Sequence, residues 1–317
     1  MNKLITIKLV NVTYKGENIG ADFYFTFSIY DTKIEIAEKI EAGTSKSFDH
    51  VIFSQSSDQD TISINLDIRE DDPVYDDTAS HQFSIPVGSL IGNQTHSASV
   101  KIQGQGWERK RTAILDIELK VSLDDGIRTV SDADGRGWLR IIADWLGGKE
   151  TQLAYTTKVK LTKIADGREY FVIEDGPFKG KTGSVKLKGG SESYLLADFT
   201  YKPAANMLFE KSAKRLTIDG LGSFAAVSLE DPIPDGIYDI EIPSAPHVES
   251  GGPHLKDSIY AQSWFRIGHS GDKFLHCGEH SLGCITVQET KKWTGIYHFL
   301  IKCRKDRVSI GTVKVVN

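Results

Sequence analysis

The chain has 317 residues, 39 % of them hydrophobic and 26 % charged, which is enough for two or three packed domains of ordinary globular composition. A net charge of −5 with no basic face argues against nucleic acid as a partner, and three cysteines cannot form a disulfide framework. No apolar run approaches the roughly 20 residues that span a bilayer. Residues 1–10 alternate like a strand rather than forming a signal peptide, so the cellular location is left open.

Residues 1–124 read as β-structure. The segments 6–12, 23–29, 61–68 and 112–121 largely alternate apolar with polar residues, separated by turn signals at 15–18 and 91–94. This pattern predicts a β-sandwich of roughly eight strands. Within it, Gly20–Phe25 and the acidic run Asp67–Asp77 resemble the calcium-and-lipid-binding (C-two) sandwiches of signalling proteins. The resemblance implies calcium held by Asp22 from one loop and Glu70, Asp72 and Asp77 from another, since calcium prefers carboxylate oxygens. It also implies contact with a membrane or a secretion machine through this domain. A solvated acidic loop without an ion is the competing reading.

Residues 125–150 are expected to be a helical linker. Apolar residues at 138, 141, 142, 145 and 146 follow helical spacing up to the pair Gly147-Gly148, and Trp138 and Trp145 would share one face. Residues 151–200 are expected to form a small β-barrel. There, Tyr170–Leu187, with glycines at 176, 180 and 183, resembles the turn of SH-three-like barrels, and glycines suit barrel corners.

The chemistry concentrates in 201–317. Cys284 sits in Ser281-Leu282-Gly283-Cys284-Ile285-Thr286, fifteen residues after His269. A neighbouring imidazole converts a thiol into the nucleophilic thiolate, and Gly283 permits a tight turn whose amides can face an oxyanion. His269, His276, Cys277, His280 and Cys284 crowd together but lack the paired short spacings of a zinc site, so no catalytic metal or other cofactor is expected.

Phe265–Asp272 followed by Ser281–Thr286 resembles the active-site signature of the L,D-transpeptidases (YkuD fold). Asp231–Ile240 is similar to that family's P-x-G segment, and Lys214–Ile218 resembles its opening strand. The match covers about residues 203–317. It implies a mainly β, multidomain protein ending in an L,D-transpeptidase-like catalytic domain that acts on peptidoglycan stem peptides through a thioester. In that scheme Cys284 is the nucleophile, His269 the base, Gly283 an oxyanion donor, and Ser281 shapes the loop. The acceptor would be water, a D-amino acid or a second stem. Leu282 stands where the family usually has histidine. This departure is tolerated in relatives delivered as antibacterial effectors, and it weakens cross-linking more than cutting or exchange. A calcium-dependent membrane-binding protein with an inactive C-terminal domain is the rival reading.

Overall fold

A computed structural model describes residues 3–88, 92–106 and 109–317. Ile91, in the turn expected at 91–94, and the first two residues of the N-terminal strand lie outside the described residues. The protein is mainly β, with 54 % of it in strands, and divides into two compact units.

The first unit comprises the chain to residue 126 together with 162–165. Its strands are β1 (Lys3–Gly16), β2 (Asp22–Ile29), β3 (Thr32–Lys39), β4 (Ser45–Ser57), β5 (Thr61–Glu70), β6 (Asp77–Pro86), β7 (Gln94–Gln103) and β8 (Thr112–Asp124). They form two sheets, ordered β4-β1-β8-β7 and β3-β2-β5-β6. Period-2 alternation sends Phe23, Phe25, Phe27 and Ile29 of β2 inward, along with Ile62, Ile64, Leu66 and Ile68 of β5. Leu115, Ile117 and Leu119 of β8 join them in one hydrophobic core. The expected sandwich is present.

The second unit comprises 127–161 and 166–317. Its first strands are β9 (Ile127–Val130), β10 (Trp138–Ala143), β11 (Lys149–Ala154), β12 (Lys158–Ala165, the last four residues of which belong to the first unit), β13 (Arg168–Ile173), β14 (Thr182–Lys186) and β15 (Leu195–Leu196). They run in the order β11-β10-β14-β13-β12-β9-β15. Gly183 is required where β14 crosses β10, because a Cβ there would lie 2.8 Å from the Ile142 carbonyl oxygen.

The helix expected around Trp138–Leu146 is instead strand β10 followed by a short 3-10 turn at Asp144–Leu146. Apolar residues at 138, 141 and 142 fit either period, and the context decides for the strand. Gly137 and Gly147 bracket the segment in left-handed conformations, Ile141 and Ile142 are β-branched, and β11 and β14 pair with β10. The two tryptophans consequently part: Trp138 enters the core, while Trp145 packs on Phe178.

The remaining elements are β16 (Ala205–Glu210), β17 (Arg215–Ile218), β18 (Gly222–Val227), β19 (Gly236–Glu241), α1 (Val248–Gly251), β20 (Phe265–Arg266), β21 (Phe274–Cys277), β22 (Ile285–Val287), α2 (Trp293–Leu300) and β23 (Ser309–Val316). Their sheet runs β19-β23-β16-β17-β18-β22-β21-β20. A bridge between Ile240 and Ile267, with the Gly268 N–H donating to the Asp239 carbonyl, brings its two ends together into a near-closed barrel. Helix α2 buries Trp293, Ile296, Tyr297 and Leu300 in the same core, which also takes in Trp138 and Ala154. The expected barrel strands and the C-terminal sheet are thus one packed body.

Candidate active site around Cys284

Strands β21 and β22 are parallel neighbours, with Leu275 opposite Ile285 and Cys277 opposite Val287. Alternation gives the pair two faces. Leu275, Cys277, Ile285 and Val287 face the core. Phe274, His276, Cys284 and Thr286 belong to the opposite face, and all but Thr286 line a cleft of about 510 Å³ together with His247, His254, Trp264 and His280. The structure therefore gathers four histidines beside the Cys284 thiol in a single hollow.

Cys284 is 8 % exposed, and its Sγ accepts the Phe274 N–H at 3.3 Å. Burial pushes the thiol pKa up, while that hydrogen bond and the Lys273 ammonium pull it partly back. The resting side chain is a thiol and needs a base.

The segment 281–284 is tied down on all sides. Ser281 Oγ donates to the Cys284 carbonyl and accepts from the Leu229 N–H, Ser228 Oγ holds the Gly283 carbonyl, and Lys273 Nζ holds the Leu282 carbonyl. Gly283 adopts φ +93°, and a Cβ there would collide with Lys273 Nζ and the Asp231 carbonyl oxygen, so only glycine fits. Among the described residues, the N–H groups of Gly283 and Cys284 have no acceptor. Two unengaged amides beside a nucleophile are the parts of an oxyanion hole.

His269 lies elsewhere. Its Nδ1 meets Glu241 Oε1 at 2.8 Å and its Nε2 meets Asp239 Oδ2 at 3.0 Å, so both ring nitrogens are engaged by carboxylates at the barrel seam. Glu241, then Asp239, raise its pKa, and the ring is not among those lining the cleft. The structure brings Ser281, Gly283 and Cys284 together and leaves His269 out.

His276 lines the same cleft as the thiol. Burial lowers its pKa to about 4, so it is neutral at pH 7. A neutral ring has one N–H, which its Nδ1 donates to the Cys277 carbonyl at 2.9 Å. Nε2 is then an acceptor, 3.2 Å from the Thr286 hydroxyl, whose single proton goes either to Nε2 or to the His280 carbonyl at 3.3 Å. Trp264 is sandwiched between His276 (3.9 Å, 12°) and His247 (4.2 Å, 10°), which fixes the planes of both imidazoles. Sequence reasoning did not single out His276 beside Cys284, because the parallel pairing that turns both to one cleft is not written in local spacing.

The acidic site in the first unit is the one group of three potential ligands within 4.8 Å of one another among the described residues: Glu70, Asp72 and Asp77. No such group forms from the described histidines and cysteines around Cys284. Asp22 reaches the acidic cluster only through its backbone N–H, 3.4 Å from Glu70 Oε1, and its carboxylate is not in the group. Glu70 is 1 % exposed, and its Oε2 is buried without a hydrogen-bond partner among the described residues. Burial, and then Asp72, raise its pKa to about 7. An orphaned carboxylate oxygen converging with two other acids fits a hard cation.

No family model and no curated protein matches the chain. Among solved structures, a C-two domain of plant Extended Synaptotagmin 1 aligns at 9 % identity over 38 % of this chain and 94 % of that domain, with a TM-score of 0.25. Human GIVD cytosolic phospholipase A2, in complex with methyl gamma-linolenyl fluorophosphonate inhibitor and terbium chloride, aligns at 9 % identity over 66 % of this chain, with a TM-score of 0.28. The alignment spans 34 % of the phospholipase chain. Likenesses at these scores carry no functional argument.

Proposed function

We propose that the second unit is a cysteine acyltransferase acting on peptidoglycan stem peptides as an L,D-carboxypeptidase, exchange enzyme or L,D-transpeptidase. The observation that carries the chemistry is the coincidence of the Cys284 thiol and a neutral His276 along one cleft, with the unengaged Gly283 and Cys284 amides in the thiol's own turn. The substrate class comes from the motif resemblance around Ser281–Thr286. With the Thr286 hydroxyl donated to the His280 carbonyl, His276 Nε2 is open to take the thiol proton as Sγ attacks the carbonyl carbon. The two amides receive the oxyanion, collapse expels the amine with the proton returned from His276, and a thioester remains. An acceptor amine or water then attacks that thioester and releases Cys284. Tetrapeptide muropeptides incubated with the protein should lose or exchange the terminal D-alanine by mass spectrometry. Full turnover by Cys284→Ala would overturn the assignment.

A second reading applies to the first unit, because Glu70 Oε2 is buried without a partner among the described residues. There, Glu70, Asp72 and Asp77 would hold calcium and couple the sandwich to an acidic surface such as a membrane.

A further inference from the structure

A second hollow of about 520 Å³ lies in the same unit, lined by β10, β13 and β14. Trp138 and Ile141 contribute its apolar wall; Arg140, Arg168 and Lys186 bring positive charge, and Asp134 and Glu150 bring negative charge away from the Arg168–Lys186 pair. Arg168 and Lys186 are directly opposite in the β13–β14 register. Like charges so placed repel. Among the described residues neither has a carboxylate partner, and Arg168 contacts only Ser184, through its Nε and one Nη. Two facing cations without a carboxylate partner are a costly feature for a bare surface, and an anionic group with acceptor oxygens resolves it.

Arg140 and Glu150 also line a smaller cavity of about 270 Å³ whose other wall is Ala245 and Pro246. The next residue, His247, belongs to the Cys284 cleft. Two of the hollows thus share Arg140 and Glu150, and the lining of the third begins one residue after Pro246 in the chain.

We propose that they form one extended peptide groove, in which Arg168 and Lys186 bind a carboxylate-bearing segment of the peptide whose scissile bond reaches Cys284. The proposal rests on the reading of Cys284 as a peptide acyltransferase for the identity of the occupant, and its charge recognition is tested separately. Titration calorimetry on the full-length Cys284→Ala protein would compare a synthetic tetrapeptide carrying two side-chain carboxylates with its fully amidated counterpart. The acidic peptide should bind about tenfold more tightly, and its affinity should fall with salt. Arg168→Gln with Lys186→Gln should abolish both differences, and the double variant should keep or raise the melting temperature because it removes a repulsion. Arg140→Gln, at an exposed position between the hollows, should weaken binding severalfold and supplies a second variant. Equal affinity for both peptides, or unchanged affinity in the double variant, would overturn the groove. Charge-dependent binding without turnover by the unmodified protein would keep the groove and remove acyl transfer; turnover with charge-blind binding would do the reverse.

Discussion

Cys277 and Cys284 lie seven residues apart and both border the cleft, but Cys277 also packs into the core, and their electrostatic surroundings differ. Burial pushes Cys277 up to about 12 and Cys284 less far, because the Phe274 N–H and Lys273 stabilise the Cys284 thiolate. Iodoacetamide should therefore label Cys284 first, and Cys284→Ala should abolish both labelling and acyl-enzyme formation, while Cys277→Ala and Cys303→Ala retain them. The base is tested by the labelling rate against pH. His276→Ala should shift the profile, whereas His269→Ala should leave it in place, since Asp239 and Glu241 occupy its nitrogens. Identical profiles for His276→Ala and the parent would remove His276 from the mechanism. Gly283→Ala should lower turnover about 10²-fold or more, because the Cβ displaces the turn that presents the amides. The Cys284 turn was legible in the sequence because Ser281–Cys284 is contiguous. The place of His276 on the same cleft was not, because several nearby histidines look alike until β21 and β22 are paired.

At the scale of elements, His269 gains a different role. It sits where β19 meets the turn after β20, beside the Ile240–Ile267 bridge, with Arg266 near Glu241 and Lys305 paired to Asp239. Its carboxylate partners raise its pKa, so the folded state binds the proton more tightly than the unfolded chain. That contribution is fully present below the unfolded value near 6.5 and is lost as pH rises through the raised folded value. His269→Gln should lower the melting temperature at pH 5.5 more than at pH 9. The ring is exposed, so the effect should stay below about 1 kcal/mol. An equal loss at both pH values would mean that ring packing, not charge, closes the seam. The strand content was legible wherever one face is buried and the other wet, as in β2 and β5. It failed at 138–146, where β10 has neighbours on both sides and Trp138, Leu139 and Ile141 are all buried, so alternation is blurred and helical spacing arises by coincidence.

For the molecule as a whole, the two units pose separate chemical problems, and the first is a question of charge. Glu70, at the end of β5, is buried beside Asp72 and Asp77, with a pKa raised to about 7. An acid whose folded pKa exceeds its unfolded value stabilises the fold at low pH and loses that contribution as pH rises through about 7. Without a cation, the melting temperature of the first unit in the full-length protein should therefore fall between pH 6 and pH 8. Glu70→Gln, which mimics the protonated acid, should raise it at pH 8 by a few degrees, corresponding to about 1 kcal/mol. Calcium would replace the proton. Binding only to the folded state adds about 2.7 kcal/mol at a hundredfold excess over Kd, so millimolar calcium should restore the melting temperature at pH 8 and do less at pH 6, where the proton competes. Glu70→Gln should cancel the calcium effect while keeping its own gain. Scanning calorimetry with and without calcium at both pH values separates these outcomes. A first-unit transition that calcium does not move at pH 8 would leave Glu70 as a buried protonated acid whose Oε1 accepts the Asp22 N–H at the start of β2.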